Sequence, residues 1–67
     1  IKLKKEEKAF AYFDAALALK PGFADVYLAR GNARMDKGEK EKACADFSKA
    51  VELGNIQAQG FKQKNCN

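Results

Sequence analysis

Apolar residues recur along most of the chain at intervals of three or four positions, which is the spacing of one helical face. The clearest stripe runs through Ala43, Phe47, Ala50 and Val51, at positions i, i+4, i+7 and i+8. No segment shows the strict apolar–polar alternation of a half-buried strand. The pattern therefore predicts an all-α chain.

Glycine and proline divide this pattern into four predicted helices. Pro21 ends the first helix, Gly38 the second and Gly54 the third. The connections are short, which favours antiparallel neighbours. The fourth helix is the weakest, because Gly60 costs about 1 kcal/mol relative to alanine in a helix interior. The predicted helices cover about residues 3–19, 24–37, 39–53 and 56–66.

The chain contains an internal repeat of 34 residues. When residues 7–20 are aligned with residues 41–54, seven of the fourteen positions are identical. The same shift pairs Ala24 with Ala58 and Tyr27 with Phe61, so the repeat extends into the fourth helix. This is the period of a helix–turn–helix repeat whose units bury their apolar faces against one another.

On this period and its motif positions, the chain resembles the tetratricopeptide repeat family. Residues 24–55 resemble one full repeat, with a large aromatic in the first helix, a small residue at the helix crossing, and a small–aromatic–small signature in the second helix. The first predicted helix repeats the second-helix signature. The resemblance therefore predicts a repeat core of Ala9, Phe13, Ala16, Tyr27, Gly31, Ala43, Phe47 and Ala50.

Three positions depart from the family pattern. Asn55 stands where the family has a closing proline, and Arg30 and Arg34 replace the usual leucine and aromatic residue. An arginine directly before the glycine resembles a bacterial-type subclass. Residues 50–59 are also similar to Sel1-like repeats, a close variant with a slightly longer period and the same helix pairs.

The resemblance implies antiparallel helix pairs in an α–α superhelix, with about four helices in a single domain over residues 1–67. Residues 1–22 would be the second helix of a preceding repeat and 23–55 one full repeat. Residues 56–67 would begin a following or capping helix. The chain begins with Ile1 rather than Met, so we expect it to be a fragment of a larger protein or a processed product.

The resemblance also implies a non-catalytic scaffold that binds a protein or peptide in a concave groove lined by the first helix of each repeat. Asn32 matches one residue of the family's carboxylate clamp for chaperone tails. Leu28 and Ala29 do not match its lysine and asparagine, so we do not expect that clamp. The predicted partner-binding residues of helix 2 are Asp25, Leu28, Asn32, Met35 and Asp36.

Arg30 and Arg34 lie four residues apart on one face of helix 2. They could hold an anionic ligand through bidentate contacts. The alternative, which we favour, is that they pair with Asp or Glu side chains of neighbouring helices.

Helix 1 is apolar on nearly every side, since only Asp14 is polar between Ala9 and Leu19. A helix of this kind is normally buried on more than one side. An alternative function is therefore self-association, as an assembly element of a larger repeat protein. The expected form is a homodimer through helix 1, using Phe10, Tyr12, Phe13 and Leu17.

Composition argues against several other classes of function. The net charge of +4 comes from 13 basic and 9 acidic residues spread along the chain, whereas a nucleic-acid interface concentrates basic residues on one face. No apolar run approaches the roughly 20 residues that cross a bilayer, so we expect no membrane insertion. The chain has no histidine, which removes the commonest acid–base group, and we expect no enzymatic activity.

The two cysteines are too few for a structural zinc site, which needs four nitrogen or sulfur ligands. We therefore expect no metal and no cofactor. Two interpretations of Cys44 stay open: a buried free thiol that packs as a small apolar residue, or a disulfide with Cys66.

Overall fold

The computed structural model describes residues 2–66, with side chains from Glu7 to Cys66, and contains four helices with no strand among those residues. Consecutive helices pack against each other, α1 on α2, α2 on α3 and α3 on α4. The predicted all-α fold of packed helix pairs is confirmed. The helices are α1 (Lys2–Leu19), α2 (Ala24–Lys37), α3 (Lys40–Glu52) and α4 (Ile56–Asn65).

Two glycines end α2 and α3 in the same way. Gly38 and Gly54 have φ of 86° and 97°, a left-handed conformation in which a Cβ atom is unfavourable. The Gly38 N–H donates to the Met35 carbonyl, and the next N–H along the chain donates to the Arg34 carbonyl. This pair of bonds satisfies carbonyls that the helix end leaves free, and it turns the chain sharply into the next helix.

Helices α2 and α3 cross most closely where Gly31 meets the ring of Phe47. A Cβ atom on Gly31 would lie 2.6 Å from Cε1 and 2.8 Å from Cδ1 of that ring. Phe47 is fully buried, and so are Ala43 and Ala50, one turn away on either side along α3. The helices can approach this closely because the residues around the aromatic ring are small.

The core is centred on this crossing and extends to α4. Leu28 and Ala58 join Phe47 in one buried cluster, and Tyr27 packs against its edge. The predicted core positions of α1 differ from those of α3, because Ala9, Phe13 and Ala16 are only half-buried. α2 supplies the main packing against α1, so one side of α1 stays open.

The closeness of the crossing predicts opposite effects for two glycine-to-alanine substitutions. Gly31→Ala forces a methyl group into the buried Phe47 ring, and such overpacking costs about 1–3 kcal/mol. That cost exceeds the gain of about 1 kcal/mol from replacing glycine by alanine within a helix. We expect Gly31→Ala to lower the free energy of unfolding, measured by urea titration followed by circular dichroism.

Gly60→Ala is the matched control, because no atom outside its neighbours and the adjacent backbone of α4 lies within 4 Å of the added Cβ. This substitution should leave the free energy of unfolding unchanged or raise it by up to about 1 kcal/mol. Equal effects of the two substitutions would contradict the close crossing.

Candidate protein-binding surface

The solvent-facing side of α2 carries most of the residues predicted to contact a partner. Asp25 and Asp36 are exposed near the two ends of the helix, and Asn32 and Met35 are half-buried between them. Their spacing places them on one face of the helix. Met35 also packs partly against the core. We call Asp25, Asn32, Met35 and Asp36 the α2 surface.

Leu28 lies inside the protein rather than on this surface. Its side chain is 9% exposed and belongs to the cluster that contains Phe47 of α3 and Ala58 of α4. The prediction that Leu28 faces a partner is therefore corrected. Burial of a leucine side chain stabilises the fold by about 1.5–3 kcal/mol, which is reason enough for an apolar residue here.

Asn55 connects the α2 surface to the start of α4. Its Nδ2 donates a hydrogen bond to Oδ1 of Asp25 at 2.8 Å, and its Oδ1 accepts one from the backbone N–H of Ala58 at 2.9 Å. The second bond caps α4, since it satisfies a donor that the first turn of a helix leaves free. An asparagine in place of the family's closing proline thus fixes the start of α4 relative to the first turn of α2.

The opposite flank of α2 carries a network of ion pairs. Nε and Nη2 of Arg30 donate to the two carboxylate oxygens of Asp46 at 3.0 and 2.9 Å, a bidentate pair. Nη1 of Arg30 donates to Asp14 of α1 at 2.9 Å. Nη1 of Arg34 lies 3.3 Å from the Asp46 carboxylate. The Arg30 guanidinium therefore joins α2 to α1 through Asp14 and to α3 through the buried Asp46.

The network leaves no unmatched charge for a ligand. Two arginines face two carboxylates, and the Asp46 side chain is only 5% exposed. The pairing of Arg30 and Arg34 with acids of neighbouring helices, which the sequence favoured, is the arrangement present. Their alternative role as contacts to an anionic partner is corrected, because the positive charge is already neutralised within the chain.

The carboxylates also raise the pKa of the Arg30 guanidinium above its usual value. The hydrogen bonds to Asp46 are the largest cause, and partial burial of Arg30 acts in the opposite direction. The negative charge of Asp46 and the contact with Asp14 raise this pKa further. Arg30 therefore keeps its charge at every physiological pH, and the network cannot be opened by titrating it.

Arg34 is held less completely than Arg30. Its Nε is the one buried side-chain polar atom without a hydrogen-bond partner among the described residues. The Arg34 guanidinium and the Lys37 ammonium lie 5.8 and 5.0 Å from the centre of the Phe10 ring. These contacts place two cations of α2 against an aromatic residue of α1, which adds to the attachment of α1.

The residues of α1 predicted to mediate self-association are not equally accessible. Tyr12 is 65% exposed, and Leu19 at the end of the helix is 89% exposed. Phe10 and Phe13 are half-buried, with their ring centres 6.0 Å apart in an edge-to-face pair. Leu17 is buried, so the prediction that it contributes to an exposed contact face is corrected. Its side chain is directed into the protein rather than to solvent.

The two cysteines form a disulfide between α3 and the residue that follows α4. The Cα atoms of Cys44 and Cys66 are 5.7 Å apart, and both residues are half-buried. Of the two interpretations that the sequence left open, the disulfide is the one the structure contains.

Over the part of the chain that the structure describes, no helix has the length and apolar character to cross a bilayer. The same residues contain no group of His, Cys, Asp and Glu side chains arranged to hold a metal ion.

Paired helices, a close glycine–aromatic crossing and a 34-residue repeat define a helical-repeat protein. Similarity to known proteins identifies the family of this chain. A profile described as "Tetratricopeptide repeat" matches residues 1–23 and 24–54, and the chain belongs to this family. Tetratricopeptide repeats generally mediate protein–protein interaction and are typically non-catalytic.

Two relatives extend the comparison. The chain is 35% identical to human "Tetratricopeptide repeat protein 6" over 98% of its own length and 16% of that protein. It is 42% identical to "UDP-N-acetylglucosamine--peptide N-acetylglucosaminyltransferase" of Giardia intestinalis over 75% of its own length and 3% of that protein. The chain thus spans a small part of each relative. No solved structure matches it. The predicted bacterial subclass and Sel1-like variant are not confirmed by these matches.

Asp46, the residue that pairs with both arginines, was not among the predicted site residues. It lies beside Phe47 on α3, where the family pattern gives no reason to expect a charge. A signal was present, because Arg30 and Arg34 replace apolar residues and must find a carboxylate if they are buried.

Asp46 is buried and Asp14 is exposed, so removal of the two carboxylates should lower the free energy of unfolding by different amounts. Asp46→Ala leaves Arg34 partly buried without a carboxylate partner and Arg30 with only the exposed Asp14, and breaking a buried pair costs about 3–5 kcal/mol. Because both arginines keep some contact with water, we expect a value near the lower limit of that range. The measurement is the free energy of unfolding in urea.

Asp14→Ala is the control, since Asp14 contacts the same guanidinium at the same 2.9 Å but is 66% exposed. Exposed ion pairs contribute about 0–1 kcal/mol, so this variant should unfold almost like the parent chain. A loss for Asp14→Ala as large as that for Asp46→Ala would refute the assignment of Asp46 as the buried centre.

Proposed function

We propose that the chain is a non-catalytic scaffold that binds a protein or peptide segment along the α2 surface, on the concave face of a helical repeat array. The observation that carries the proposal is the concentration on one face of α2 of polar groups that the core does not use. Asp25, Asn32 and Asp36 present two carboxylates and an amide to solvent, with Met35 beside them.

The dimensions of the α2 surface suggest the length of the ligand. Asp25 and Asp36 are eleven residues apart in sequence, which corresponds to about 16 Å along a helix at 1.5 Å per residue. An extended peptide rises about 3.3 Å per residue. A segment of about five residues therefore spans the two carboxylates.

The charges of the surface suggest the chemistry of the ligand. Two carboxylates without a basic neighbour on the same face favour a segment that carries Lys or Arg near its ends. Asn32 can donate to and accept from the peptide backbone between them, and Met35 offers an adaptable apolar contact. We infer a short cationic segment of a protein, rather than nucleic acid, as the partner.

We assign the segments of the chain accordingly. Residues 23–55 form the full repeat that carries the α2 surface. Residues 1–22 are the second helix of a preceding repeat, and residues 56–67 start a following or capping helix. In this arrangement α4 lies beside α2 along the groove, where the 34-residue shift gives Gln59 the repeat position of Asp25.

The proposal predicts that conservative changes on the α2 surface abolish binding without unfolding the chain. The test variant is Asp25→Asn/Asn32→Ala/Asp36→Asn, in which asparagine at position 25 keeps an acceptor for Asn55. Random peptides displayed on phage are selected on the parent chain, and their affinity is measured by fluorescence anisotropy. Lys- or Arg-containing peptides should be enriched and should lose at least about tenfold in affinity for the variant.

The control variant is Glu41→Gln/Glu52→Gln/Gln57→Ala, which changes two carboxylates and one amide at exposed positions of α3 and α4. It should bind the selected peptides like the parent. Both variants should stay within about 0.5 kcal/mol per site of the parent in stability, as is usual for surface changes. Equal peptide affinities for the two variants would exclude the α2 surface as the binding site.

Self-association through α1 is the second candidate, and the exposed Tyr12 and Leu19 are the observation that favours it. Contiguous exposed apolar area marks contact sites, and homodimers are most often two-fold symmetric. We propose a two-fold pair in which Tyr12 and the edge of the Phe10–Phe13 pair face the second copy.

This second proposal predicts a concentration-dependent mass in sedimentation equilibrium. The parent chain should dimerise as its concentration approaches about 1 mM, the range of weak contacts. Tyr12→Lys should keep the chain monomeric, whereas Ile56→Lys, at an exposed apolar position of α4, should not. A parent chain that is monomeric at about 1 mM with α1 helical would rule out the contact.

A further inference from the structure

Helix α4 is attached to the rest of the protein by few buried groups. Ala58 is its one buried residue among those described. Phe61 stacks on Phe47 with ring centres 5.7 Å apart, but its other side faces solvent. Gly60, in the middle of the helix, weakens it further. A helix of 10 residues is too short to persist in water without tertiary support.

The two ends of α4 are fastened by different means. At its start, Asn55 caps the helix and reaches Asp25. At its end, Cys66 is bonded to Cys44 in the middle of α3 across a sequence separation of 22 residues. Between Phe61 and Cys66, the side chains of Lys62, Gln63 and Lys64 are exposed. The disulfide is thus the main attachment of the C-terminal half of α4.

We propose that the Cys44–Cys66 disulfide is a redox-controlled clasp that keeps the C-terminal half of α4 docked on α3. A dithiol reductant opens it by two thiol–disulfide exchanges. One thiolate of the reductant attacks the sulfur of one cysteine and releases the other cysteine as a thiolate. The second thiolate of the reductant then attacks the reductant sulfur of this mixed disulfide and releases the remaining cysteine as a thiolate. Two electrons and two protons pass to Cys44 and Cys66, and the reductant becomes a disulfide.

Opening the clasp changes the docking equilibrium of α4 through chain entropy. In the oxidised chain the bond limits how far Cys66 can move from Cys44, so an undocked α4 returns readily. In the reduced chain the end of α4 is held by non-covalent contacts alone, which are the Phe61 stack, Ala58 and the packing of Cys66 against the core. Unwinding then proceeds from Cys66 toward Gly60, while the capped start at Asn55 stays attached.

This inference rests on the proposed function for its consequence at the binding surface. If α4 forms the second side of the groove next to α2, release of its C-terminal half removes Gln63 from the ligand. The oxidised chain would then be the binding form, and a reducing compartment would weaken binding without altering α2 or α3.

The experiment is amide hydrogen exchange of the full chain, oxidised and reduced with dithiothreitol, read by mass spectrometry or NMR. We expect amides of α4 beyond Gly60 to exchange at least about tenfold faster after reduction, with α2 and α3 unchanged. Cys44→Ser/Cys66→Ser is the matched control, and it should exchange like the reduced chain whether or not dithiothreitol is present.

Two results would overturn the clasp. One is equal exchange of α4 in the oxidised and reduced chains. The other is two free thiols in the air-oxidised chain, titrated after unfolding in guanidinium. Hydrogen exchange is measured without a binding partner, so it tests the clasp independently of the proposed function. If the selected peptides prove insensitive to Asp25, Asn32 and Asp36, the proposed function fails but the clasp is still tested.

Discussion

The contact between Phe47 and the backbone of Gly31 is the constraint on which the rest of the structure depends. It fixes how closely α2 and α3 approach, because a single added methyl at Gly31 would lie 2.6 Å from the ring. The ring also supports α4, since Phe61 stacks on its other side. One buried aromatic residue therefore sets the positions of three helices, in a chain too small to contain a second core.

With the position of α2 fixed in this way, its two flanks have different surroundings. One flank is neutralised within the chain, where Asp46 joins Arg30 to Arg34 and Arg30 reaches Asp14 of α1. The other flank keeps Asp25, Asn32 and Asp36 at the surface. Helix α2 both contacts its neighbouring helices and carries polar side chains at the surface. The helical period places these two sets of side chains on different faces. The result is a surface whose two carboxylates take no part in the ion pairs of the other flank, although Asp25 also accepts a hydrogen bond from Asn55.

Apolar spacing with the glycine and proline positions was enough to predict the four helices, and the 34-residue repeat was enough to predict the small–aromatic–small core of α3, because both follow from spacing and residue size. Burial that depends on a third helix was harder to anticipate. Leu28 was assigned to the groove although it lies in the core, and Asp46 was overlooked because a buried carboxylate is stable only where arginines meet it. The half-burial of Phe13, whose counterpart Phe47 is fully buried, likewise reflects neighbours and not the residue itself. Identical motifs in α1 and α3 therefore do not imply identical environments.

The most direct test of the central claim is the proton NMR spectrum of the oxidised chain at Gly31. Because the Phe47 ring lies against this backbone, at least one Gly31 Hα resonance should be displaced from the usual glycine position by the ring current. Both Hα protons should also give nuclear Overhauser effects to the Phe47 ring protons. Gly31 Hα resonances at unperturbed positions, with no such effects in a folded chain, would contradict the account.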